Sequence, residues 1–311
     1  MSTRRVLVTG ATGYVAQQVI PALRARYETI LTDVDSRLSS GTLPTTQGPW
    51  EAEGQELDDI HQLDILADDG SGLRALMDGV DAVVHLAFKP PVGHDGTGGD
   101  LLGAAQTLYE GERDNIDMAQ RIYQAALELG VRRVVMGSSN QAAKWYEVPF
   151  FQGLKQTVSP EDVAKPDNFY GWAKASYETL GFLYACGVLG RQLEVVQLRI
   201  VAPRPIELKG FVGETAQRYF RDIAGYLSPR DLTQLVERAI DTPDIRDEHG
   251  VPWLVVYGVS NNDRRFWSLE SARRVLGYDP QDNSEVVFAD EIRRVLDSGV
   301  DVITEELLGR P

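Results

Sequence analysis

The stretch VTGATGYVA, residues 8–16, sets Gly10 and Gly13 between a short apolar run, RRVLVTG, and a helix-like one, YVAQQVIPALRARY. That order constrains the fold more than any other feature. A first glycine permits a tight turn, a second lets backbone approach a pyrophosphate at a helix N-terminus, and a small third residue, here Ala16, lets helix pack on strand. A strand-turn-helix that binds nothing could hold the same glycines. Position separates the two readings: the turn follows the first strand, and the next apolar run, TILTDV, ends in an acid, Asp33, about 20 residues further on. A carboxylate there accepts hydrogen bonds from a ribose and repels a 2′-phosphate, which favours NAD and disfavours NADP. Asp35 competes for the role, and Arg37 would soften the repulsion.

Apolar runs then alternate with helical periodicities, the pattern of βα units around a parallel sheet. Further strands are expected at IHQLD, DAVVHLAF, RRVVMGSS, LEVVQLRIV and VPWLVVYG. LLGAAQTLYEGERDNIDMAQRIYQAALELG reads as one long helix stopped by Gly130, and NFYGWAK opens another. Residues 141–167, rich in aromatics, Pro and Lys, read as a long loop, a kind of segment that commonly carries function. After Pro203-Arg204-Pro205 the rhythm changes, with helices expected at SPRDLTQLVERAI, SLESARRVLG and SEVVFADEIRRVLDSG. The expectation is a doubly wound α/β sheet over residues 1–202, and a smaller lobe over 203–311 with segments returning to the sheet.

With 31 basic and 46 acidic side chains the formal charge is -15, which argues against nucleic acid and anionic membrane as partners. One cysteine, Cys186, makes no intrachain disulfide, and four scattered histidines (61, 85, 94, 249) lack metal-ligand spacing, so no metal is expected. The N-terminus is too short in apolar residues for a signal segment, and the chain reads as cytoplasmic.

Tyr170 and Lys174 stand four residues apart. With twelve tyrosines and six lysines in 311 residues, chance supplies roughly 0.2 such pairs, so the pair alone is weak. On a helix the two share a face, and an ammonium beside a phenol would favour phenolate.

In order and spacing, TGATGYVA, Asp33, Asp64-Ile65, VVHLAF, Asn115, Ser138-Ser139 and Tyr170xxxLys174 resemble the extended short-chain dehydrogenase/reductases, the NAD-dependent epimerase/dehydratase family. The resemblance covers roughly the first 200 residues and implies a Rossmann-type fold. It also implies that Tyr170 is the acid/base, that Lys174 assists it and holds the nicotinamide ribose, and that Ser139, or alternatively Ser138, donates to the reacting oxygen. Gly10, Thr12, Gly13, Tyr14 and Val15 would hold the dinucleotide, Asp64 and Ile65 would contact adenine, and Leu86, Ala87, Phe88 and Asn115 would line the rest. For Leu86 and Ala87 a purely structural role is equally open.

Sugar dehydratases of this family carry Asp-Glu after the hydroxyl residue, where this chain has Asn140-Gln141; an amide cannot exchange the proton, so dehydration is disfavoured. Farther on, SSN, LRI, RDIAGYLSPRDL and YGVSNNDRRFWSLESARRVLGYDPQDNSE resemble the uronate dehydrogenase branch. There Arg221, five residues before Tyr226-Leu227-Ser228, matches the arginine that binds substrate carboxylate, a task its planar fork suits. A surface arginine paired with an acid such as Asp222 is the other reading. Asn140 and Gln141 would also face substrate, although that branch has His in place of Gln141. The expected activity is an NAD-dependent dehydrogenase acting on a sugar, sugar acid or related polyol; the alternatives are a nucleotide-sugar epimerase and a non-catalytic dinucleotide sensor. Family members commonly dimerise through the long helix and the Tyr/Lys helix, so a homodimer is expected.

Overall fold

The computed structural model describes residues 3–38, 56–91 and 103–308. The seven apolar runs become β1 (Arg5–Thr9), β2 (Glu28–Asp33), β3 (Ile60–Gln62), β4 (Ala82–His85), β5 (Arg133–Ser139), β6 (Glu194–Ile200) and β7 (Trp253–Gly258). They form one sheet in the order β3-β2-β1-β4-β5-β6-β7, with every neighbouring pair parallel. A parallel sheet is covered on both faces, which is why β4 reads AVVH and is buried throughout. Strand order reverses between β1 and β4, and there the strand ends open a crevice.

The helices are α1 (Tyr14–Arg26), α2 (Ser71–Met77), α3 (Ala105–Glu128), α4 (Glu147–Phe151), α5 (Phe169–Ala185), α6 (Ala216–Gly225), α7 (Pro229–Asp241), α8 (Ser284–Val287) and α9 (Ala289–Ser298). On one face of the sheet Met118, Ile122 and Tyr123 of α3 meet Tyr177 and Tyr184 of α5. On the other, Val19 and Leu23 of α1 pack with Leu232, Leu235 and Val236 of α7. A third cluster beyond the sheet joins Ala202, Phe211, Tyr219 and Ile223 to Ile292 and Ile303. Residues after 203 supply nearly all of that cluster, and also send α7 and β7 back to the sheet.

Besides α2, where no helix was expected, four segments differ from expectation. SLESARRVLG makes only a π turn, Ala272–Leu276, ended by Gly277 at φ 65°. SEVVFADEIRRVLDSG breaks into α8 and α9 at Phe288, whose ring meets Tyr226 edge-on at 5.1 Å, so packing overrides a continuous helix. The expected 141–167 loop instead begins with a 3-10 turn, Asn140–Tyr146, that runs into α4. Helix α6 follows a basic stretch with no apolar run, started by Thr215, which accepts from the Arg218 N–H. The expected start of the long helix, Leu101-Leu102, lies outside the described residues. Among the described residues no helix is long and apolar enough to cross a membrane.

Candidate active site

At the exit of β1, Gly10 adopts φ 73°, and a Cβ there would overlap the Ala87 backbone at the exit of β4. Only glycine allows two strand ends to approach this closely at the mouth of the crevice. Thr12 donates from its N–H (2.9 Å) and its hydroxyl (2.6 Å) to one oxygen of Asp33, whose other oxygen accepts from Val34 N–H at 2.7 Å. Asp33 therefore ties the glycine turn to the end of β2. A carboxylate has about four acceptor positions, so these bonds leave capacity for a ribose hydroxyl. Gly13, with Tyr14 and Val15 partly open beside it, starts α1. This narrow backbone cradle ahead of a helix N-terminus, with an acid at the next strand end, fits a dinucleotide.

The other expected cofactor residues divide. Leu86 and Ala87 are partly open at the end of β4, and Phe88 is 40% exposed. Asp64 caps the turn after β3 by accepting from Leu66 and Ala67. The Ile65 side chain is buried with Leu7, Leu73 and Met77. Asn115 clamps the segment after β4, accepting from Lys89 N–H (2.8 Å) and donating to Lys89 C=O (3.0 Å).

Tyr170, Lys174 and Ser139 come together at the end of β5. Asn168 caps α5 by accepting from Gly171 N–H at 2.8 Å, which fixes where the helix starts and so where Tyr170 projects. The Ser139 hydroxyl stands beside the Tyr170 phenol and pulls its pKa down. Phe88 meets the Tyr170 ring edge-on at 5.2 Å. Lys174 is buried, and its Nζ donates to Gly137 C=O at 2.7 Å and lies 5.3 Å from the centre of the Tyr170 ring.

The electrostatics correct one expectation. Burial pushes the Tyr170 phenol up to about 12, against a smaller downward pull from Ser139. Burial also pushes Lys174 down to about 8, opposed by the carboxylates of Glu112 and Glu178. The ammonium does not acidify the phenol here, because desolvation outweighs every other influence on both groups. Sequence reasoning missed Glu112, a buried acid on α3 bonded to Asn115 Nδ2 at 3.1 Å, whose carboxyl burial pushes up to about 7.

The two serines face different partners. Ser138 donates to Glu178 Oε1 at 2.6 Å, and Glu178 also accepts from Arg199 Nε (2.9 Å) and Nη2 (2.7 Å). Arg199 reaches on to the Tyr257 hydroxyl at 3.1 Å. Ser138 is thus committed to a sealed network behind β5, which leaves Ser139 as the hydroxyl at the phenol.

On the crevice side the expected substrate residues are already partnered. Arg221 donates from Nε (3.1 Å) and Nη2 (2.6 Å) to Glu147 and from Nη1 to Asp222 (2.9 Å), and it stacks 5.3 Å from the centre of the Trp267 ring. A guanidinium fork free for a carboxylate is therefore not what this structure holds. Asp222 also accepts from Arg204 at 2.8 Å. Asn140 Nδ2 points to Glu147 at 3.5 Å, and the side-chain oxygen of Gln141 accepts from Asn168 at 2.9 Å. Gly171 lies so close to Gln141 that a Cβ would overlap the Gln141 carbonyl.

Turn, ribose-side acid, serine, tyrosine and lysine on a doubly wound sheet define a class, and the chain belongs to the NAD dependent epimerase/dehydratase family, which it matches over residues 6–187. Among its relatives is the NAD-dependent glucose-6-phosphate dehydrogenase of Haloferax volcanii, 32% identical over 90% of this chain and 94% of the other. The L-arabinose 1-dehydrogenase (NAD(P)(+)) of the same organism is 31% identical over 91% and 98%. The uronate dehydrogenase of Pseudomonas syringae pv. tomato is 31% identical over 91% and 83%. A solved structure described as a mutated uronate dehydrogenase superposes with a TM-score of 0.66 at 24% identity, covering 100% of this chain and 95% of that one, a likeness of fold.

Proposed function

We propose that the protein is an NAD-dependent dehydrogenase that oxidises a hydroxyl-bearing carbon of a sugar or sugar derivative. The observation that carries this reading is the convergence of Ser139, Tyr170 and Lys174 at the end of β5, with β4 alone between that strand and the glycine turn at the end of β1. Bound NAD supplies the hydride acceptor. Tyr170 takes the proton of the substrate hydroxyl, Ser139 donates to the same oxygen, and Lys174 holds the nicotinamide ribose. A phenol raised to about 12 must first lose its own proton, so alkaline conditions favour oxidation. Gly10, Thr12, Gly13 and Asp33 hold the dinucleotide, and the Asp33 carboxylate favours NAD over NADP.

Relatives named as dehydrogenases of glucose 6-phosphate, L-arabinose and uronate support net oxidation over the returned hydride of an epimerase. Keeping the full Ser139-Tyr170-Lys174 set argues against a sensor without turnover. We also read the chain as a cytoplasmic enzyme that pairs through α3 and α5, helices that leave Tyr109, Phe182 and Leu183 exposed; light scattering tests the pairing. A panel of aldoses, uronates and UDP-sugars with NAD or NADP, followed at NADH absorbance, tests the reaction. Isomerisation without NADH would move the protein to the epimerases, and inertness toward the whole panel would remove the dehydrogenase reading.

A further inference from the structure

Four side chains of alternating charge run through the substrate side of the site: Arg204, Asp222, Arg221 and Glu147. Arg204 Nη2 donates to Asp222 at 2.8 Å, Arg221 Nη1 to the other Asp222 oxygen at 2.9 Å, and the Arg221 Nε/Nη2 edge to both Glu147 oxygens at 3.1 and 2.6 Å. All are largely buried; the side chains of Arg221 and Glu147 are 18% and 14% exposed. Two cations meet two anions, so the row is neutral as it stands. Glu147 abuts Asn140, and Asn140 accepts at 3.4 Å from the Ser139 hydroxyl, the group beside the Tyr170 phenol. The end of the row is thus two residues from the phenol.

Glu147 begins α4, inside the 141–167 stretch whose role the overall chemistry leaves open. We infer that Glu147 is a specificity residue: it occupies the Arg221 fork in place of a substrate carboxylate and so restricts the site to sugars that are neutral at that position. This inference rests on the dehydrogenase reading of the same site. An anionic group arriving there meets a guanidinium whose bidentate edge is taken and a carboxylate that repels it, with no cation left over in the row. A neutral sugar meets a carboxylate with unused acceptor positions beside the Asn140 amide, which suits hydroxyl groups. The same repulsion rejects a uronate and a phosphate, since it acts on charge alone.

Matched sugars differing only at C6, D-glucose against D-glucuronate and D-galactose against D-galacturonate, test the inference with D-glucose 6-phosphate as a third charge class. Wild-type protein, Glu147→Gln and Glu147→Ala are compared by kcat/KM with NAD and by calorimetric binding to the NAD-loaded protein. Wild type should favour the neutral sugar by at least about tenfold. Both variants should shift that ratio toward the uronate by a further factor of about ten, because they free the Arg221 fork. Glu147→Gln keeps the side-chain shape, and unchanged NAD affinity in both variants shows an intact fold. A wild type that takes the uronate or the phosphate as well as the neutral sugar overturns the inference, as does a ratio unmoved in both variants, or no sugar bound by any of the three proteins. The predicted contrast in binding without any NADH would remove the dehydrogenase reading and leave the charge assignment standing.

Discussion

The end of β5 lies between two arginine-glutamate forks of the same design. Arg199 grips Glu178 through Nε and Nη2 on the α5 side, and Arg221 grips Glu147 through the same two nitrogens on the α6 side. The first pair is 3% exposed on both sides and ties in Ser138, Tyr257 and, through the Glu178 C=O, the Trp253 indole. The second is less sealed, with side chains 18% and 14% exposed, and stands next to Asn140. One bond geometry thus serves two ends. Sealed from water, a fork with every partner fixed sets the position of a strand end; less deeply buried, the same fork keeps a charge that a guest could meet under the specificity role inferred for Glu147.

The two sides of β5 should differ most at the adjacent serines and the tyrosine. Tyr170→Phe should retain NAD and lose at least about a hundredfold in turnover, and Ser139→Ala about 10²–10³ in kcat. If Ser138→Ala has the larger kinetic effect, the assignment of front and back is reversed. Behind the strand the loss should be in stability: Glu178→Gln strands the buried Arg199 charge, at a cost of about 3–5 kcal/mol, which calorimetry would register as a melting point lower by roughly 10 °C. Glu147→Gln should melt much closer to wild type, and equal losses at the two forks would erase the distinction drawn here. Ser138→Ala should cost about 1–3 kcal/mol, seen in denaturant midpoints, by leaving Glu178 short of one donor.

The smallest effect has a sign of its own. Glu112 has a folded pKa of about 7 against an ordinary 4.5, so the folded state holds its proton more tightly than the unfolded chain does. Its stabilising contribution is complete below about 4.5 and is lost as pH rises through about 7. Glu112→Gln should therefore raise the melting temperature at pH 8 by about 2–4 °C and change little at pH 5. A larger gain at pH 5 would contradict the burial assigned to this carboxyl.

What could be read from the chain was local. The glycine turn, Asp33, and Tyr170 with Lys174 announce themselves because a turn or one helix face sets their geometry within a few residues. Neither fork is local: Glu147 and Arg221 are 74 residues apart, Glu178 and Arg199 are 21, and nothing in their spacing requires that they meet. Glu112 did leave a trace, as an acid among Leu108, Asn115, Ala119 and Ile122 on the buried side of α3. The acidified phenol was expected from proximity, and the structure reverses it because burial raises the cost of both charges at once. Helix α4 escaped notice because a five-residue helix with a proline inside carries no periodicity to read.

The close approach of Gly171 to the Gln141 carbonyl couples two parts that a protein engineer would wish to vary separately. Residues 140–147 are where new substrates would be sought, while the first turn of α5 aims the phenol. With no gap between them, a library built on the former also perturbs the latter, so many of its inactive members will have lost aim rather than recognition. Holding Gly171, Asn168 and Gln141 constant while Asn140 and Glu147 are varied keeps the two properties apart, and makes this fold's substrate side searchable without dismantling its chemistry.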